Sequence, residues 1–149
     1  MRIPTNTMAG FQRARGADAG FQRFTTSGSL AVTQGDLMAF DRANEVVVKA
    51  TSSSSIEDVA GVAVETIAST ETSVLLQRIS PLDEYVVNTT NNSSTAHNYH
   101  RMVLTDENEV NNTGTDSTSD AAVVMQVAPV GAASDKKILA RFVTVQDRA

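Results

Sequence analysis

"GDLMAFDRANEVVVKATSSSSIEDVAGVAVETI", Gly35 to Ile67, alternates short apolar runs with turn chemistry. Gly35-Asp36 is a turn signal, and "LMAF" follows it. "DRAN" breaks the chain before "EVVVKA", and the Ser-rich "TSSSSIED" separates that run from "VAGVAVETI". None of these runs reaches the length of an amphipathic helix, and the second and third are rich in Val. Branching at Cβ restricts χ1 and suits a pleated surface, so the runs read as strands. A Ser ahead of the acidic pair in "SSSIEDVAG" suits the cap of a single helical turn. Gly61, inside "VAGVA", marks a bulge or a place where a neighbouring backbone comes close.

The same grammar extends in both directions. "LAVTQ" precedes the stretch, and "TSVLLQRI", "DEYVVN", "RMVLT", "AAVVMQVAPV" and "KKILARFVTV" follow it, with Pro129 and Gly131 turning the chain between the last two. About nine short strand candidates between turn signals predict an all-β sandwich or barrel. Val62, Val64, Leu76, Val124, Leu139 and Phe142 lie in the strongest runs and are the predicted core. Two long polar stretches, 88–100 and 106–120, interrupt the pattern and read as loops projecting from the body, since structureless connections of that length are uncommon inside a compact domain.

The first 29 residues look different. They have four Gly and no clean period of 2 or 3.6, which predicts an extended arm, with the β domain spanning 30–149. Gly-Phe-Gln-Arg occurs twice in the arm, from Gly10 and again from Gly20. Four arginines stand there against one aspartate, a net charge of +3, while residues 30–149 carry −8. Such asymmetry points to a segment that grips something negative. Phe11 and Phe21 offer apolar area. Arg2, Arg13, Arg15 and Arg23 offer charge-assisted hydrogen bonds, so these six residues form the candidate partner-binding arm. With too little apolar content to offset its own ordering, the arm is expected to become ordered on a partner.

Catalytic chemistry is hard to assemble from this chain. There is no Cys, which removes disulfides, thiolate catalysis and cysteine metal sites. No GxSxG elbow or phosphate-binding Walker loop occurs. Ser52 to Ser55 have no neighbouring base. Asp83-Glu84 and Asp106-Glu107 read as solvated turn acids, because adjacent strand residues point to opposite faces. His97 and His100 sit in a polar stretch and read as solvent-exposed; two ligands without a third do not define a metal centre. Gly114 to Asp116 lack the full calcium-loop pattern. The glycosylation-type sequons at Asn88, Asn91, Asn92 and Asn111 predict only polar surface loops. Neither enzymatic activity, nor a cofactor, nor a bound metal is expected. No apolar run approaches signal-peptide length or the ~20 residues of a membrane helix, which predicts a soluble protein made in the cytoplasm without membrane association. Four arginines on an acidic chain are thin support for nucleic-acid binding, which is not expected.

The order of motifs in Gly35 to Ile67 resembles the head-decoration, or capsid cement, proteins of tailed bacteriophages. These are small chains rich in Ala, Thr and Val. In them a Gly-Asp opens a strand, a Val-rich strand ends in Ala-Thr, and a Val-x-Gly-Val-Ala segment follows. Gly35-Asp36, Val46 to Thr51 and Val59 to Val64 occupy those places, and "SVLLQR" and "KILARFV" are similar to the later strands. The resemblance covers about a quarter of the chain well. It implies a structural virion protein on the capsid surface that stabilises the shell, with the major capsid protein as partner and a homo-oligomer, a trimer in relatives, as the working form. The long polar loops and the doubled GFQR depart from the pattern. An alternative is a carbohydrate- or cell-surface-binding β module of a phage fibre or spike, using the polar loops and Tyr99. The chain's few aromatic residues weigh against it, because sugars stack on aromatic faces.

Overall fold

The computed structural model describes residues 10–15, 20–81, 83–113, 117, 119 and 121–144. These residues are all-β, as the turn spacing predicts. The strands are β1 (Gln12–Arg15), β2 (Phe21–Thr25), β3 (Leu37–Asp41), β4 (Val46–Lys49), β5 (Val59–Ala63), β6 (Ser73–Gln77), β7 (Glu84–Thr89), β8 (Arg101–Asp106), β9 (Glu109–Asn111), β10 (Ala122–Pro129) and β11 (Lys137–Phe142). A single 3-10 turn, Ile56–Asp58, stands where "SSSIEDVAG" predicts one. Among the described residues no helix is long and apolar enough to cross a membrane.

Two sheets share the strands. The first has six, in the order β1-β7-β11-β10-β8-β9, and β9 also pairs in parallel with β7. That extra pairing closes β7, β11, β10, β8 and β9 into a ring. β7 therefore carries β11 along one edge and divides the other between β1, at Glu84 to Val86, and β9, at Asn88 and Thr89. The second sheet runs β2-β6-β5-β3-β4 and has two free edges, β2 and β4. It curls so strongly that Phe24 of β2 meets Phe40 of β3 edge to face at 5.6 Å, although the two strands are not neighbours in the sheet.

Each sheet encloses apolar side chains, and β3 serves both cores. Leu37 and Ala39 join Phe11, Val62, Tyr85, Leu104, Ile138 and Phe142 in the core between the sheets. Met38 points the other way, into a second core with Val47, Ala63, Val74 and Leu76 inside the curled sheet. A strand buried on both faces reads as a continuous apolar run, which explains "LMAF" and "VAGVA". Of the six predicted core residues, Val62, Leu76, Val124, Leu139 and Phe142 are buried. Val64 is only half-buried, because β5 ends at Ala63 and Val64 lies beyond the strand. Gly61 fulfils its reading. The register slips opposite it, and a Cβ there would sit 2.5 Å from the Gln77 carbonyl oxygen.

The expected division at residue 29/30 is not a structural boundary among the described residues. β1 is an edge strand of the first sheet and β2 an edge strand of the second. An edge strand is held largely by backbone hydrogen bonds, so it needs no apolar periodicity of its own. In β2 only Phe24 is even partly buried. The polar stretches also do more than project. β9 lies inside the second of them, and Thr89, Ser93 and Asn112 are buried. Asn112 accepts a hydrogen bond from Asn91 N and donates from its amide to the carbonyls of Asn91 and Asn92, tying the two loops together.

Candidate interaction surface

The Gly35-Asp36 turn, which decides the sequence reading, is also where the two sheets and the N-terminal segment meet. Phe11 N donates to the Gly35 carbonyl at 2.8 Å, and Gly35 N donates to Ala63 O at 2.8 Å. Leu37 N reaches Glu107 O, in the β8–β9 turn, at 2.7 Å. Thr33 N closes the turn on Asp36 Oδ2 at 2.9 Å. Asp36 is buried beside Lys49, whose Nζ lies 3.9 Å from it and 3.5 Å from Glu107. Burial pushes the Asp36 carboxyl above its ordinary range, and the hydrogen bond from Thr33 opposes the shift.

The two copies of Gly-Phe-Gln-Arg begin alike and end in opposite environments. Gly10 and Gly20 both take positive φ, at 90° and 84°. Gly10 is pressed against the turn, where a Cβ would fall 2.4 Å from Gly35 O, whereas nothing stands within 4 Å of a Cβ on Gly20. Phe11 is 3% exposed, stacked on Phe142 at 5.4 Å and edge-on to Tyr85 at 6.2 Å. Phe21 is 54% exposed. Arg13 spans both oxygens of Asp83 at 3.3 Å each, with the carboxylate side chain only 2% exposed. Asp83 is thus a buried partner, correcting its reading as a solvated acid. The pKa of the Tyr85 phenol is pushed up, first by burial and then by Asp83, with Arg13 opposing. Arg23 binds Glu65 at 2.9 Å and Ser73 Oγ at 3.3 Å in the open. The Glu65 carboxyl is held low, first by the Leu75 N–H and then by Arg23.

The six candidate arm residues therefore do not act together. Phe11 and Arg13 are consumed by the fold, Phe21 stays exposed, Arg23 stays exposed while paired with Glu65 and Ser73, the backbone of Arg15 closes β1, and Arg2 lies outside the described residues. Beside Arg23 the curled sheet opens into a groove of about 420 Å³ between β2 and the β3–β4 turn. Phe24, Phe40 and Val46 give it apolar lining; Arg23 and Arg42 give it charge. Arg42 lies over the Phe40 ring at 5.6 Å and is paired with Asp58. Phe40 is 37% exposed. Nothing in the sequence signals Phe24, Phe40 and Arg42 as one surface, because only the curl of the sheet brings β2 to β3.

Among the described residues no group of three or more His, Asp or Glu side chains is placed to hold a metal. No protein-family model matches the chain, and no curated protein matches it.

Proposed function

We propose that the chain is a structural binding protein that decorates the outside of a tailed-bacteriophage head and stiffens it. On this reading it is made in the host cytoplasm, assembles as a homotrimer and binds the major capsid protein. Two things support the reading. The motifs that resemble capsid cement proteins occupy consecutive places in one sheet: the Gly35-Asp36 turn opening β3, then β4, then β5. The observation that carries it is the aromatic–arginine mouth of that sheet, where Phe40 is exposed beside Arg23 and Arg42, with Phe21 exposed at the start of the same edge strand as Arg23. Phe and Arg are the residue types enriched in protein interfaces, and an exposed aromatic cluster is the kind of surface a partner covers. Burying one such Phe on docking is worth roughly 1.5–3 kcal/mol.

Tyr99 favours the second reading, a glycan-binding module. It is 70% exposed and held at φ 67° on the polar loop. Co-sedimentation with emptied phage heads, run beside a glycan panel, separates the two. Decoration predicts head binding that Phe21→Ala and Phe40→Ala weaken together, and that Tyr99→Ala leaves alone. Glycan binding that is lost in Tyr99→Ala, with no association with heads, would replace the proposal.

A further inference from the structure

The polar turn from Ser93 to His100 packs over β10. Tyr99 N donates to Gln126 O at 2.7 Å, and Gln126 N donates to His100 O at 3.1 Å. The Gln126 side chain is fully buried beneath the turn, its amide donating to Ser94 O at 2.7 Å and to Asn98 Oδ1 at 2.9 Å. Those two acceptors fix which end of the carboxamide is oxygen. That oxygen, Oε1, is buried with no hydrogen-bond partner. Ser93 Oγ and the Nδ1 atoms of both His97 and His100 are in the same position. The histidines correct their reading as solvent-exposed side chains: both are half-buried, and their rings lie 6.1 Å apart, centroid to centroid, tilted by 45°.

Four of the buried side-chain atoms that lack a partner thus fall on one turn and the strand under it. A buried polar atom without a partner is costly, so a cluster of them calls for a bound species. With both imidazoles protonated at Nε2, the chemistry is one-sided. A neutral imidazole Nδ1 and an amide oxygen offer lone pairs, and a hydroxyl offers lone pairs with its proton turned away. A cation satisfies them all. Imidazole donors select borderline first-row transition metals over hard cations, which prefer oxygen.

We propose that His97 and His100 bind a divalent transition-metal ion through their Nδ1 atoms, with Gln126 Oε1 as a third donor, and that the ion clamps the 93–100 turn onto β10. Copper should bind most tightly, then nickel and zinc, following the general order of divalent affinities. Magnesium and calcium should not bind.

The chain contains only two His, so an imidazole-bound metal has one place to go. The test is calorimetric titration of the untagged full-length protein with copper, nickel, zinc, magnesium and calcium chlorides, with electron paramagnetic resonance of the copper form. The expected result is saturation at one equivalent of copper, nitrogen couplings in its spectrum, and a rise in melting temperature. His97→Ala and His100→Ala should each lower copper affinity at least tenfold while melting, without metal, as cooperatively as the parent. Three results would each overturn the proposal: no binding at millimolar metal, copper binding unchanged in the double variant, or calcium binding as well as copper. Should the alanine variants fail to fold, loss of binding after diethylpyrocarbonate modification of the folded parent supports the site, and retention of binding overturns it.

Discussion

Phe11→Ala and Phe21→Ala remove the same side chain from the same tetrapeptide, and the structure assigns them very different costs. Phe11 is 3% exposed and lies between Phe142 and Tyr85. Truncating a buried Phe to Ala costs about 3–5 kcal/mol, because transfer energy is lost and a cavity remains. Aromatic pairs add about 0.5–1.5 kcal/mol beyond buried area, which places Phe11 near the middle or top of that range, at about 4 kcal/mol. For a chain of this size each kcal/mol moves the melting temperature by about 2–4 °C, so Phe11→Ala should lower it by roughly 8–16 °C. Phe21, more than half exposed, should shift stability by no more than about 0.5 kcal/mol. Thermal melts followed by circular dichroism, with urea titrations to check that the m-value holds, measure both. Phe11→Leu keeps most of the volume and should recover much of the loss. Equal, small shifts in Phe11→Ala and Phe21→Ala would refute the placement of the first copy in the core.

Other perturbations follow the same contrast. Arg13→Ala leaves Asp83 buried without its cation; discounted for the partial exposure of Arg13, the cost should be about 1–3 kcal/mol by urea titration, while Arg23→Ala, on an exposed pair, should leave the melting temperature unchanged within error. Gly10→Ala should cost more than about 2 kcal/mol, since the new Cβ meets Gly35 O as well as the φ penalty, whereas Gly20→Ala pays only the backbone penalty of about 1–2 kcal/mol. The raised carboxyl of Asp36 binds its proton more readily in the folded chain than in the unfolded one. Its contribution to stability therefore falls as pH rises above the ordinary value of about 3.9, and Asp36→Asn should gain on the parent through that window in a pH series of urea titrations. Removing residues 1–15 takes away β1, Phe11 and the partner of Asp83, and should abolish a cooperative melt; a truncated chain that melts like the parent would contradict the fold described here.

The fold class was legible because turn residues punctuate β-branched runs at regular intervals, and β3 to β8, β10 and β11 lie where that punctuation puts them. β1, β2 and β9 were not legible. "QRAR" has no apolar alternation, "FQRFT" leaves every side chain but Phe24 exposed, and "EVN" buries only Val110, so none stands out as a strand in the sequence. Backbone pairing with β7, β6 and β8 holds them, and pairing partners are a property of the whole topology rather than of the segment. Charge was misleading for the same reason. The excess of Arg at the start of the chain reads as attraction to a distant anion, yet Arg13 and Arg23 find Asp83 and Glu65, 70 and 42 residues away, inside the same molecule. Polarity misled at 88–100, where buried Ser93 and half-buried histidines pack on Gln126.

The repeated tetrapeptide then has a mechanical meaning. The curled sheet is built from residues 21–77 and the closed sheet from 84–142, except for β1. The first GFQR carries the start of the chain across to the sheet made by its end, and Phe11 fastens it there while Gly10 lets it pass tight against Gly35. The second GFQR returns the chain to its own sheet. Its phenylalanine has no cavity to fill, because the second core is already closed by Phe24 two strand positions beyond the Gln, and an outward Phe21 is the consequence. An identical motif is thus spent once on joining the sheets and once on surface. Of the two copies only the second keeps its Phe and Arg exposed, so on the proposed decoration role docking would draw on that half of the repeat and folding on the other. On that proposal, a substitution at Phe21 or Arg23 should weaken docking without loosening the joint that Phe11 and Arg13 make.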